Sequence, residues 1–241
     1  MNAFHVNNKI EKISPTIRAL NERAVSERST SPLPRYAEGQ SVNVIWAVKS
    51  LGIDPASGNE LFETRDGKIT DVYDPLDQVI VGDRTPTLEG TFGTNMEIKG
   101  VGFNLYMRFN FGGDAYNQTL IDRVENALVS MYNVDRRVYE QRWTKPGDVA
   151  FYRAIVNYAG QINPNIAYAT SRFVQRNNFL AAESASVYYR FTDRLNKRLG
   201  VQNTKVTLFT GQLFRVGTVK QERGLDYPFA HNFTIQLQTT F

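Results

Sequence analysis

The chain has 241 residues, 41% of them hydrophobic, with 28 basic against 24 acidic side chains and a net charge of +4. It lacks cysteine and carries only His5 and His231, which excludes disulfides, thiol nucleophiles and cysteine-ligated zinc and leaves a histidine metal site without neighbouring partners. The charges are dispersed, with no basic block or arginine stripe of the kind that tracks phosphates, so nucleic acid is not an expected partner.

Mean hydropathy is −0.38, and no run approaches the ~18 apolar residues of a spanning helix. A β-barrel remains open, because spanning strands of about 9 to 11 residues need an apolar side chain only at every second position. The 15 Phe and 12 Tyr would suit the aromatic girdles of such a barrel. The opening residues, MNAFHVNNKI, lack the apolar stretch of an export signal, so the chain reads either as cytosolic or as the end of a longer protein.

In chain order, Ser14-Pro15 has the form of a helix cap followed by proline at the first helical position, and Ile13, Ile17 and Leu20 keep helical spacing, which predicts a short helix over 15–23. SVNVIWAVKS, with Val42, Val44, Trp46 and Val48, predicts a strand over 41–50. After a long connection, Leu88, Phe92, Met96 and Ile98 alternate with polar residues up to Lys99-Gly100. Val101, Phe103, Leu105, Met107, Phe109 and Phe111 then alternate with Gly102, Asn104, Tyr106, Arg108, Asn110 and Gly112. This is a hairpin with a tight turn. Its second face, with Glu89, Glu97 and Arg108, is too polar for a sandwich interior and would suit a wet lumen.

The segment 113–176 reads as a very long loop with local helices: one through Leu120, Val124 and Leu128, another capped by Asp135 and running from Val138 to Arg142. Further strands are expected at 179–191, with Ala185, Val187, Tyr189 and Phe191, and at 205–214, with Val206 and Leu208. Between them DRLNKRLG places Leu195 and Leu199 one helical turn apart, with Gly200 as a stop. The last strand, 229–241, carries Phe233, Ile235, Leu237 and Phe241 on one face and Asn232, Thr234, Gln236, Gln238 and Thr240 on the other. The fold class expected is all-β, with 41–50, 87–98, 101–112, 179–191, 205–214 and 229–241 as consecutive antiparallel neighbours. Short turns alternate with long, partly helical loops, as in outer-membrane barrels.

Several runs together resemble the C-terminal part of the SusC/RagA-like family of TonB-dependent outer-membrane transporters: SLGIDPASGNELFETRDGKIT, VGDRTPTLEGTFGTNMEIKG, GGDAYNQTLIDRVENA, DRRVYEQRWTKPGDVAFY, TSRFVQRNNFL, DRLNKRLGV and the terminal YPFAHNFTIQLQTTF. They occur in the family's order and cover nearly the whole chain. The resemblance implies a barrel of about 22 strands around a plug, of which residues 1–241 would be the C-terminal wall, in the outer membrane of a Gram-negative bacterium. It also implies import of glycan or peptide fragments with energy from the TonB complex, through a part not present in this chain, and a SusD-like surface lipoprotein as partner. The last strand would close against the first, which explains an apolar strand at the chain's end.

On this reading Val101, Phe103, Leu105, Met107 and Phe109 face lipid, and Phe233, Ile235, Leu237 and Phe241 form a C-terminal assembly signal as well as a lipid contact. Glu89, Glu97 and Arg108 are lumen groups, either selective or simply solvated. Tyr132, Tyr139, Trp143 and Tyr152, with Tyr158 beside them, are ligand-binding candidates in the longest loop, where they could equally pack the loop on itself. Asp54, Glu60, Glu63 and Asp66 lie near glycines but lack the alternate-position oxygens of a calcium loop, so a turn-rich solvated loop is the expectation. No nucleophile and base pair is evident, and neither an enzyme nor a cofactor is expected. Two other classes stay open at this stage: a soluble or cell-surface β-rich binding module of adhesin type, and a truncated gene product without function.

Overall fold

The computed structural model describes residues 1–127, 129, 133–155, 166–220 and 231–240. In chain order the strands are β1 (Asn2–Phe4), β2 (Val44–Ile53), β3 (Glu60–Glu63), β4 (Ile69–Thr70), β5 (Gln78–Asp83), β6 (Leu88–Ile98), β7 (Val101–Phe111), β8 (Asp114–Tyr116), β9 (Val174–Arg176), β10 (Phe179–Arg190), β11 (Asn203–Gly217) and β12 (Phe233–Thr240). The helices are α1 (Pro15–Ser26), α2 (Arg137–Glu140) and α3 (Asp193–Leu199). The fold is all-β and antiparallel, and it divides into two compact units, one of residues 1–6, 86–112 and 177–241, the other of 7–85 and 113–176.

The first unit is one six-stranded sheet in the order β1-β6-β7-β10-β11-β12, with every neighbouring pair antiparallel. The β6–β7 hairpin closes on Lys99 and Gly100, with φ of 51° and 83°. Two successive positive φ values give the turn whose twist matches that of the flanking strands, and glycine reaches this region at little cost. Ile98 and Val101 form the last pair. From there the register keeps odd residues of β7 on one face, facing Met96 and Phe92 of β6 and Val187, Ala185 and Ala182 of β10. A bulge at Glu183 lets β10 change phase, so Ala182 stays opposite Met107 while Ala185 stays opposite Leu105. α3 ends where expected, on Gly200 in the left-handed conformation with φ of 70°.

Most of the apolar face is not covered. Ile98 is 70% exposed and Ile235 76%, and Val101, Met96, Val187, Leu208, Val216, Phe233 and Leu237 are also exposed. Both ends of the sheet hold unpaired backbone: β1 covers β6 only at Glu89–Thr91, and β12 has no outer partner among the described residues. The connections follow a rule of ends. Those at the end near Ile98 are the two-residue turn and the α3 segment, while at the other end the chain leaves for 7–85, for 113–176 and for 218–232.

The second unit overturns the reading of 51–85 and 113–176 as loops. It holds a four-stranded sheet in the order β4-β3-β2-β5, a two-stranded sheet of β8 and β9, and two cores. One core gathers Leu120, Ile121, Val124, Val138, Tyr152, Ala167 and Phe173; the other gathers Val48, Phe62 and Tyr73. The strand expected over 41–50 is also corrected. It is β2 of this unit, paired with β3 and β5, and β1 takes the sheet position beside β6. The physical reason lies in its composition: Val44, Ile45, Ala47 and Val48 are all buried, so β2 is apolar on both faces, as a central strand of a covered sheet must be. The alternation of Val42, Val44, Trp46 and Val48 is interrupted, moreover, by a register shift between Ile45 and Trp46. The remaining expected strands are neighbours in the expected order.

α1 begins on Ser14, whose Oγ accepts from the Ile17 N–H at 3.3 Å, and runs one turn past the expected end. Residues 120–125 form a π-helical segment, and Leu128, part of the expected helix, lies outside the described residues. Asp135 accepts from Arg137 N at 2.9 Å just ahead of the next helix, but the N-cap position of α2 is Arg136, and α2 is shorter than the expected run to Arg142.

Candidate functional site

The face opposite the apolar one is the strongest candidate, because its side chains are mostly polar and come together from five strands. Cross-strand rows can be read from the register. One runs Glu97, Gly102, Tyr188, Thr207 and Gln236; the next runs Asn95, Asn104, Ser186, Phe209 and Thr234. Tyr188 donates its hydroxyl to Glu97 Oε2 at 2.6 Å, Arg190 lies 3.3 Å from the same oxygen, and the Lys205 ammonium sits 4.2 Å from the Tyr188 ring centroid. Asn104 Nδ2 donates to Ser186 Oγ at 2.9 Å, and Asn95 Nδ2 to the Tyr106 hydroxyl at 3.3 Å. The result is a hydrogen-bonded polar wall on which Glu97 is flanked by two cations, Arg190 and Lys205.

Glycines let aromatic rings lie flat on this wall. A Cβ at Gly102 would fall inside the ring of Tyr188, its partner on β10, and a Cβ at Gly93 would sit 2.6 Å from Cδ1 of Tyr106, its partner on β7. Each ring covers backbone that glycine leaves bare. Replacing Gly102 with valine should therefore cost about 1–3 kcal/mol through overpacking. The loss should largely vanish in a Tyr188→Ala background, as read by urea unfolding of the chain in detergent micelles. A full penalty in both backgrounds would show that the ring is not what the glycine accommodates.

The residues expected to face lipid, Val101, Phe103, Leu105, Met107 and Phe109, do share one face of β7. Phe109 departs from the others in being 6% exposed: its ring covers Gly90 and lies 6.3 Å and 5.7 Å from the rings of Phe92 and Phe111. Phe233, Ile235 and Leu237 share the exposed apolar face of β12, and Phe241 lies outside the described residues.

The aromatic candidates separate. Tyr132 and Tyr158 lie outside the described residues. Tyr152 is a core residue at 1% exposure, with no ring face open to a ligand. Tyr139 and Trp143 line a cleft of about 260 Å³ with Val138, Arg142, Thr144, Ala154 and Ile155. Trp143 is fixed there by its Nε1 donating to Pro55 O at 2.9 Å and by packing on Gly58, where a Cβ would come within 2.6 Å of the indole.

Sequence reasoning missed a buried ionic network in the second unit. Arg172, with 4% of its side chain exposed, meets Glu60 through Nη2 at 2.7 Å and Nε at 3.0 Å, and Glu125 through Nη1 at 2.9 Å. Arg153 reaches Glu125 at 2.8 Å. Thr170 donates to Glu60 at 3.0 Å, and Arg142 donates to the carbonyls of Val138, Arg153, Val124 and Glu125. Burial pushes the Glu125 carboxyl up, but Arg172 and Arg153 beside it hold it below the ordinary carboxylate range. The candidate calcium loop is resolved by the same accounting. Asp54 accepts from Ala56 N, Ser57 N and Ser57 Oγ, Glu60 belongs to Arg172, and Glu63 pairs with Lys49 at 2.7 Å. Among the described residues no acidic or histidine cluster could hold a metal ion.

The described residues thus form an antiparallel sheet with one apolar and one polar face. No family model matches the sequence, and no curated protein matches it. Among solved structures, the chain is similar to one of the RagAB peptide importer in the "open-open" state, with a TM-score of 0.65 at 18% identity, over 86% of this chain and 23% of that one. A second structure of the RagAB peptide transporter gives 0.58 at 18% identity over 78% of this chain and 21% of that one. The "closed-closed" state gives 0.50 at 16% over 75% and 20%. At these identities the likeness is one of fold, and the chain spans about a quarter of the length of the structures it matches.

Proposed function

We propose that this chain is the C-terminal wall segment of a SusC/RagA-like importer in the outer membrane of a Gram-negative bacterium. The six-stranded sheet is part of a closed barrel with its apolar face on lipid and its polar face on the lumen. The observation that carries this is the exposure of both faces: a sandwich would bury Ile98, Ile235 and Leu237, or else Glu97 and Arg108, and the sheet buries neither set. The importer takes up glycan or peptide fragments, draws energy from the TonB complex through a part outside this chain, and works with a SusD-like surface lipoprotein. Tyr139 and Trp143, in the cleft of the second unit, provide a ligand surface. Phe233, Ile235, Leu237 and Phe241 serve assembly of the closing strand. The fold likeness to the RagAB peptide importer and the ordered sequence runs support the same reading.

The absence of cysteine makes the test direct. Single spin labels are placed along β7 through cysteines at successive positions from Val101 to Arg108, with the chain reconstituted in lipid vesicles. Oxygen accessibility should peak at Val101, Phe103, Leu105 and Met107, and accessibility to a water-soluble nickel chelate should peak at Gly102, Asn104, Tyr106 and Arg108. Accessibilities that do not alternate would overturn the membrane wall.

A further inference from the structure

Arg108 of β7 and Arg215 of β11 stand in one cross-strand row of the polar face, on either side of Ala181 of β10. The small Ala181 leaves the space between them to Phe179, the next side chain on that face of β10. Its ring is 5% exposed, with the Arg215 Cζ 3.6 Å and the Arg108 Cζ 5.2 Å from its centroid. Stacking occupies the plane of a guanidinium and leaves its edge N–H groups to bond. Two guanidiniums therefore share one ring and present donors on the same side of the wall.

Among the described residues, the acceptors at hand do not match these donors. Glu183, at the bulge, lies 3.7 Å from Arg108 Nε, beyond hydrogen-bond distance, and Glu89 stands on β6 opposite Asn110. Arg215 Nε is shut from solvent with no hydrogen-bond partner. A buried charged donor left unbonded is costly, so the arrangement is incomplete as it stands. Beside it the wall has room: a Cβ at Gly211, on the same face of β11, would meet only Glu183 O at 3.9 Å.

We propose that Arg108, Phe179 and Arg215 form a carboxylate-binding subsite whose ligand is an acidic peptide. The inference rests on the reading of this face as an importer's lumen, and it narrows that reading. Carboxylate oxygens match the guanidinium fork bidentately, whereas a neutral glycan brings only hydroxyls. Arg108, with half of its side chain exposed, gains a bidentate acceptor, and the surplus positive charge beside Glu183 is neutralised.

The test uses the whole chain, nitrogen-15 labelled, in detergent micelles. Arginine Nε–H resonances are followed while acetyl-Ala-Ala-Asp is added, and again with the uncharged acetyl-Ala-Ala-Asn-amide. The Arg108 and Arg215 signals should move with the acid alone. Arg215→Gln should weaken binding at least tenfold, and Arg18→Gln, exposed on α1 and outside the wall, should leave it unchanged. Because Arg215→Gln could fail to fold, a second measurement uses the amine introduced by Arg108→Lys, coupled by carbodiimide and read by mass spectrometry. Coupling to the added peptide supports the subsite. Coupling only to Glu183 or another carboxylate of this chain, or unmoved wild-type signals, overturns it. Alternating accessibility along β7 with unmoved arginine signals would remove the subsite alone; flat accessibility would remove the wall, whatever the arginines do.

Discussion

Arginine at Leu105 should destabilise the membrane-inserted chain by about 2–4 kcal/mol, while arginine at the adjacent Asn104 should cost about 1 kcal/mol. Leu105 is in the middle of β7, on the apolar face between Thr94 and Ala185. In the proposed wall a guanidinium there must enter hydrocarbon or bend away from it. Asn104 is one residue along and points to the other side, where its amide bonds Ser186. An arginine there loses that hydrogen bond but stays among Asn95, Tyr106 and Ser186, in contact with water. The comparison holds residue type, strand and depth nearly constant and changes only the face. Folding titrations into lipid vesicles check it, and equal costs at the two positions would place the whole of β7 in one environment.

Glu125→Gln should cost about 3–5 kcal/mol of the second unit's stability. The substitution is nearly isosteric, so little packing changes, but Arg172 loses one of its two carboxylate partners, and Arg153 loses its ion pair with Glu125. The exposed pair Arg136–Glu140, one helical turn apart at 2.5 Å, is the control: Glu140→Gln should cost under about 0.5 kcal/mol. The pH dependence follows from the direction of the shift. Glu125 has its folded pKa below the ordinary 4.5, so its contribution is complete above that value and is lost as pH falls through the depressed one. Glu125→Gln should therefore flatten the acid limb of stability and leave the neutral limb parallel but lower. Hydrogen exchange over 120–126 and 166–174 reads this unit separately from the sheet, and equal protection in the two variants at neutral pH would refute the role given to Glu125.

The parts legible in the sequence share a physical property. β6, β7 and β12 alternate cleanly because each strand face meets one uniform environment along its length, so period two survives in the residue order. Ser14-Pro15, Lys99-Gly100 and Gly200 were legible for another reason, since caps and tight turns are decided by local backbone geometry. The second unit was not legible because its order comes from distant partners. Glu60, Glu125 and Arg172 look like solvated loop charges until the fold brings them together, and no local pattern marks a carboxylate that will be buried. β2 misled for the opposite reason: a strand buried on both faces carries no alternation, so its register cannot be read from its residues. Of the site, Glu97 and Arg108 were assigned to the polar face from spacing alone. Arg215 was not singled out, because the strand expected over 205–214 ends one residue short of it, whereas β11 runs on to Gly217.

The second unit is assembled from two stretches of chain with the β6–β7 hairpin between them, and this imposes an order in time. Ser50 and Ser171, bonded at 2.9 Å, are 121 positions apart. During synthesis the hairpin, closed by a two-residue turn, can form within about 1–10 μs of emerging. The first stretch must wait, because Glu60 has no guanidinium to meet until Arg172 has been made, and its core of Val48, Phe62 and Tyr73 has no Tyr168 to pack against it. The cost of closing so long a loop grows only slowly with its length, so the delay is one of sequence and search rather than of stability. The β6–β7 hairpin can thus pair before the second unit closes, while residues 7–85 wait on 113–176 for their partners.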